Sequence, residues 1–280
     1  MPTIAADWDA VSSGLGRAGT MSGPVYWVPI ARSDLAVSSQ GVALKPALAL
    51  GGGYAAFTRY ADTTLMMGDL VVTEAELPAV TDALQAQGIA QTALHKHLLE
   101  QNPPVWWTHV HAMGDPAQLA GALRAALAVT ATPPAPAPAP STPATSALAE
   151  FDAAGVAAAL GRAGTAEGGV YKITAARADT ISEDGRVLPA GTGVTTAVNF
   201  QPLGGGRAAV NGDIVMVGQE VQKVIAALRG GGVQIVEVHN HGLTEQPRLF
   251  YLHFWGVNDA VTVARALRPA LDATNLRPGP

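Results

Sequence analysis

The 280-residue chain has no cysteine. That removes disulfides, thiolate nucleophiles and thiolate metal sites together, and leaves His, Asp and Glu as the strong ligands. Charge is sparse as well. Seventeen Lys and Arg stand against 22 Asp and Glu, a formal net charge of −5. The cations are scattered, so no basic stripe exists that could neutralise a run of phosphates, and nucleic acid is not an expected partner. No apolar run approaches the ~18–20 residues needed to cross a bilayer. The opening MPTIAADWDAVSSGLG also lacks a basic segment followed by an apolar one, so no transmembrane segment is expected. Aromatics are few, at 5%, but apolar residues reach 48%, which can fill the cores of two ordinary domains.

What is present is a text written twice. The stretch ATPPAPAPAPSTPATSA, 131–147, alternates proline and alanine. It can form neither a helix interior nor a ladder strand, and it reads as a semi-rigid polyproline II spacer. On either side stand LGRAGT (15–20 and 160–165) and VYWVPIARSD beside VYKITAARAD, offset by 145. MMGDLVV then matches VNGDIVM and LHKH matches VHNH at an offset of 144, as if one residue had been lost or gained between the blocks. Two copies and a long spacer predict homologous domains at 1–130 and 150–280, joined by 131–149 and packed pseudo-symmetrically rather than as a solenoid.

Each copy predicts the same elements. A short helix (9–15, 153–160) leads to a β-branched and aromatic strand (25–31, 170–175). A glycine-rich strand pair ending in Gly-Asp follows, and then a helix with apolar spacing of three and four: Leu77, Val80, Leu84 or Val221, Val224, Leu228. A histidine-bearing hairpin and a last helix (116–127, 260–271) close the unit. The fold class is α+β, a mostly antiparallel sheet with helices on one side.

All seven histidines lie on the two hairpins. Side chains alternate along a strand, so Glu237, His239 and His241 in EVHNH share a face. If the hairpin centres near residue 246, His253 stands opposite His239. The first copy places His95, His97, His109 and His111 in the same way. Imidazoles in this number suit Zn, Cu, Fe or Mn, with Zn first. Glu237, Glu245 or Glu100 could add a carboxylate, with Glu237 or Glu245 also serving as general base. Histidines acting without metal, or merely packing, are the competing readings.

Other features point elsewhere. Gly51–Gly53 and Gly204–Gly206 lack the pattern of a phosphate loop and read as loop or bulge glycines. Asp69 and Asp213, after their glycines, read as turn or cap residues ahead of metal ligands. Phe250, Tyr251, Phe254, Trp255, Trp106 and Trp107 read as core. No GxSxG is present.

The segments VYWVPIARSDL, GDLVVTEAEL, LHKH and VEVHNHGLTEQPRLFYLHFWG together resemble the LppY/LpqO family of bacterial proteins, a domain of unknown function that includes mycobacterial envelope lipoproteins. The resemblance covers both halves outside the spacer. It implies an exported protein whose partner is a small molecule or an envelope component. It brings no activity and no oligomeric state. Two departures stand out: Lys96 in LHKH, and His111 in THVHAMG where an aromatic or acidic residue is expected. They make the second copy the more typical site. His239-x-His241-x3-Glu245 also fits a short cupin motif, but the helix before the histidine strand argues against a cupin barrel. The expectation is a metal-binding protein, in one form a metal-dependent hydrolase. The alternatives are a non-catalytic module holding a ligand or protein, and a structural envelope component.

Overall fold

The computed structural model describes residues 8–135, 148 and 150–279. Most of the predicted spacer, 136–147, lies outside the described residues.

The first repeat runs α1 (Asp9–Leu15), β1 (Thr20–Ser22), β2 (Val25–Pro29), β3 (Ser38–Ser39), β4 (Val42–Ala43), β5 (Tyr54–Arg59), β6 (Thr64–Thr73), α2 (Leu77–Ala86), β7 (Ala90–His95), β8 (Gln101–Asn102), β9 (Val105–Gly114) and α3 (Pro116–Leu127). The second follows with α4 (Ala153–Leu160), β10 (Thr165–Glu167), β11 (Val170–Ala176), β12 (Ser182–Glu183), β13 (Arg186–Val187), β14 (Thr195–Gly204), β15 (Arg207–Val217), α5 (Gly218–Gly230), β16 (Gln234–His239), β17 (Leu249–Asp259) and α6 (Ala260–Asp272). Each builds one six-stranded antiparallel sheet, in the orders β1-β2-β5-β6-β9-β7 and β10-β11-β14-β15-β17-β16. The small strands form two satellites, β4-β3-β8 and β12-β13. The protein is therefore α+β, two similar halves, as its repeated text predicts.

Helix ends follow local chemistry. The Asp115 carboxylate accepts the N–H groups of Ala117 and Gln118, both at 3.0 Å, with Pro116 in the first turn. Asp259 does the same for Thr262 at 2.8 Å. α1 and α4 both stop on a left-handed glycine, Gly16 and Gly161.

Strand β6 is buried on both faces, and that explains the layering. One parity, Met66, Leu70 and Val72, packs on Val80, Leu84, Leu119 and Leu123 of α2 and α3. The other parity faces the second repeat. Val71 joins Trp107, Val170, Ala209 and Trp255 in one shared cluster, and Leu65 and Met67 join Val215, Leu249 and Tyr251 in another. The order is helix, sheet, sheet, helix, with two apolar clusters between the sheets. Polar ties cross the same interface: Gln201 accepts the Lys45 N–H at 2.8 Å and donates to the Ala43 carbonyl at 2.9 Å.

A buried arginine clasps each half. Arg32 Nη1 bonds the Val71 carbonyl (3.1 Å) and Glu76 (2.7 Å), while Nη2 reaches Asp34 (2.8 Å). Arg177 repeats this with Val215 (2.9 Å), Glu220 (2.7 Å) and Asp179 (2.6 Å). Each glutamate also accepts a backbone N–H from the end of its long strand, Thr73 or Val217.

The structure revises two expectations. The equivalent residues Tyr26 and Tyr171 pair with Phe57 and Phe200, which lie 143 apart. The halves therefore differ by at least two changes of length, one of them the extra residue at the Pro202/Gly204 register shift. In the hairpin, His253 pairs with Glu237 and His239 with Tyr251, two residues from the predicted register. The slip is even, so every histidine keeps its face. Gly204–Gly206 turn between β14 and β15 with positive φ, as loop glycines should.

Candidate metal centre

The histidine faces of the two sheets meet. β7 and β9 bring His95 and His109, β16 and β17 bring His239 and His253, and the chain just beyond β7 and β16 brings His97 and His241. The six rings form one centre between the repeats rather than one cluster per repeat. Ring centroids of His95 and His239 are 4.0 Å apart. His97–His253 and His109–His241, equivalent under the repeat, are 3.7 and 3.6 Å apart. Near-equal distances at exchanged positions are the signature of the pseudo-two-fold axis.

Asp69 and Asp213 complete the set, and here the turn or cap reading fails. Both lie within long strands, β6 and β15, cross-strand from His109 and His253, and aim inward. Asp69 Oδ2 lies 3.6 to 3.9 Å from the Nε2 atoms of His95, His97 and His109, and Asp213 Oδ2 lies 3.6 Å from His241 Nε2. The preceding glycines are required by space. A Cβ on Gly68 would stand 2.5 Å from the Tyr54 carbonyl oxygen, and one on Gly212 would meet the Ala197 carbonyl and the Phe254 ring.

Backbone carbonyls orient the rings. His241 Nδ1 lies 3.1 Å from the Gly193 carbonyl and His253 Nδ1 lies 3.3 Å from the Gly212 carbonyl. A carbonyl only accepts, so Nδ1 carries the proton and a neutral ring presents the Nε2 lone pair to the centre. His109 is bonded likewise to the Gly68 backbone. The Nε2 atoms of His109 and His241, Nδ1 of His95 and His239, and one oxygen of each aspartate are buried with no hydrogen-bond partner. Such atoms are costly unless something binds them.

Burial also fixes charge. It lowers His97 and His239 to about 3 and His109 to about 4, and it carries His95, His241 and His253 well below the ordinary imidazole value, with neighbouring rings adding to the effect. The Asp69 carboxyl is pushed up to about 6 by burial. Asp213 rises by burial and by the nearby Asp69 charge. Neutral imidazoles are the form that binds metal.

Among the described residues, four groups hold three donors within 4.8 Å of one another: His95, His239, His253; His109, His239, His241; Asp69, His95, His109; and Asp213, His241, His253. Ligands at ~2.1 Å from one ion stand at most ~4.2 Å apart, so closure needs only small side-chain movement. The donors fit a transition ion.

The remaining predicted residues lie outside these groups. Glu237 accepts the backbone N–H of Lys96 at 2.6 Å across the interface. Glu245 is buried in its loop, accepting from Leu249 N at 3.1 Å with Arg248 at 3.5 Å. Glu100 takes Gln40 on the surface. His111 pairs with Glu183 of the other repeat at 2.8 Å, holding that carboxylate below its usual range. Trp107, Tyr251, Phe254 and Trp255 are buried as core, with Tyr251 stacked on His241. A cavity of about 180 Å³ opens beside the centre, lined by Asp69, Asp213, His241, Tyr54, Asn199 and Asn211 among others.

Residues 9–129 and 154–273 both match the model of a family described as Domain of Unknown Function (DUF1259). The chain belongs to that family, twice over. No curated protein matches it. Among solved structures it is similar to the trimeric bacterial microcompartment shell protein PduB, at 14% identity, 93% of this chain, 91% of that one and a TM-score of 0.23. It is also similar to EtuB from Clostridium kluyveri, at 12% identity, 92% and 89% coverage and a TM-score of 0.21. Superpositions this poor carry no argument about fold or role.

Proposed function

We propose that this protein binds a transition metal at the centre between its repeats, zinc being the first candidate and copper, iron or manganese the others. One observation carries the reading. Rings on four strands and two loops converge with unpartnered, buried donor atoms, and two of those rings, His109 and His241, have the other nitrogen tied to backbone. A core histidine kept only for packing would satisfy both nitrogens. Backbone-oriented imidazoles with free Nε2 atoms are what a metal site builds in advance.

A divalent ion at this place supplies Lewis acidity and activates water near neutral pH. The protein's own part is to hold neutral rings, keep two carboxyls ready to lose a proton to solvent, and admit a small molecule through the adjoining cavity. A hydrolytic reaction on a small polar substrate follows from that combination. Glu237 and Glu245 are engaged elsewhere, so Asp69 and Asp213, which line the cavity, are the carboxylates that would hold the ion beside the imidazoles. The LppY/LpqO resemblance extends the proposal to an exported, envelope-associated protein.

Elemental analysis of protein purified without a nickel column tests the reading. Bound metal is expected, with at least a hundredfold loss of zinc affinity in His239→Ala/His241→Ala at unchanged circular dichroism. Protein that takes up none of Zn, Cu, Fe or Mn after reconstitution would overturn it.

A further inference from the structure

The donors outnumber what one ion uses. Six imidazoles and two carboxylates surround the axis, whereas a zinc site takes four ligands, often three with one position open. How the eight divide is set by geometry. Of the four donor groups, only one pair shares no residue: Asp69, His95, His109 and Asp213, His241, His253. Every other pairing uses one histidine twice. Each member of that pair comes from a single repeat, and each is a set of two histidines and one aspartate.

The two histidines left over stand at the axis, His97 against His253 at 3.7 Å and His239 against His95 at 4.0 Å between ring centroids, and each also reaches the set of its own repeat. His97 Nε2 lies 3.1 Å from His95 Nε2 and 3.6 Å from Asp69. His239 Nε2 lies 3.3 Å from His253 Nε2. Each repeat therefore owns four donors, three imidazoles and one carboxylate. The cavity is lined by both aspartates, so both sets open on the same space.

We propose that the centre is dinuclear, one ion on Asp69, His95 and His109 with His97 beside it, the other on Asp213, His241 and His253 with His239 beside it. This rests on the metal-binding reading above and adds its stoichiometry. Two adjacent ions facing one small polar cavity suit substrates that place two oxygens between metals, such as phosphate esters or carboxylates.

The test is a count. Protein stripped with chelator and reconstituted with zinc alone should hold two ions per chain. Asp69→Asn/His109→Ala should hold one, and so should Asp213→Asn/His253→Ala, each at unchanged circular dichroism. In case a variant does not fold, the unmodified protein loaded with manganese alone should give a spin-coupled electron paramagnetic resonance spectrum. One ion per chain, with a magnetically isolated manganese signal and binding lost in both variants, would overturn the dinuclear centre and leave the metal-binding proposal standing. No ion at all would remove both.

Discussion

Six imidazoles held neutral by burial make the centre a liability in acid. In the unfolded chain each would titrate near 6.5, whereas His97 and His239 fold with values of about 3 and His109 with about 4. Between those limits the unfolded state binds more protons, so stability falls as pH drops, by up to ~1.4 kcal/mol per pH unit for each ring. Asp69 acts in the opposite sense. Its folded value of about 6 lies above the ordinary 3.8, so the folded state gains in that window, but two carboxyls stand against six rings. Urea denaturation of the metal-free protein should show its midpoint dropping from pH 7 to pH 5. His97→Gln/His239→Gln should flatten the slope, and a flat profile in the unmodified protein would contradict neutral burial. At this scale the sequence was informative about histidine and favoured a turn or cap over a ligand for aspartate. An alternating face can be read from EVHNH, but Gly and Asp are also turn residues. Only the neighbouring carbonyls, too close for a Cβ on Gly68 or Gly212, show why it sits mid-strand. The clue available was that both copies keep it at the same 144-residue offset as the histidines.

The buried arginines belong to the next scale up, because each joins a strand end, a helix start and the segment after the first long strand. Arg177 is nearly inaccessible, and its partner Glu220 is 8% exposed. Removing the cation leaves that carboxylate without its charge partner. Arg177→Met should lower stability by about 3–5 kcal/mol. Lys172→Ala, which breaks a pair with the exposed Glu167, should cost under ~1 kcal/mol. Chemical denaturation distinguishes the two, and equal losses would show that the clasp adds nothing special. Helices and strands were legible because apolar spacing reports which face is covered: Val80 and Leu84, or Val224 and Leu228, are fully buried as their periodicity predicts. The hairpin register was not. Its expected centre was one residue off, which moves every cross-strand partner by two: Glu237 faces His253 and His239 faces Tyr251, and loop composition does not say at which residue pairing stops.

At the scale of the molecule the repeats are halves of one object. Two shared apolar clusters and the paired rings lie between them, so the covalent connection adds little to their association. An engineered protease site within 136–147, cut after folding, should leave the halves co-eluting on gel filtration with metal content unchanged. Separation of the fragments would show that the interface is weaker than its burial implies. The duplication could be read from the text, but the single centre could not. Each hairpin looked self-sufficient, and the pseudo-symmetric packing expected from the repeat did not say which surfaces would face each other.

Duplication within one chain also frees the copies to differ. Ala56 and Met67 pair across β5 and β6 and are buried, whereas Asn199 and Asn211 pair at the matching place in β14 and β15 and line the cavity. Two identical chains would have carried two equal doorways or none. Here one side carries a buried thioether and the other is hydrophilic, so whatever enters the cavity meets the two halves of a symmetric interior in unequal surroundings.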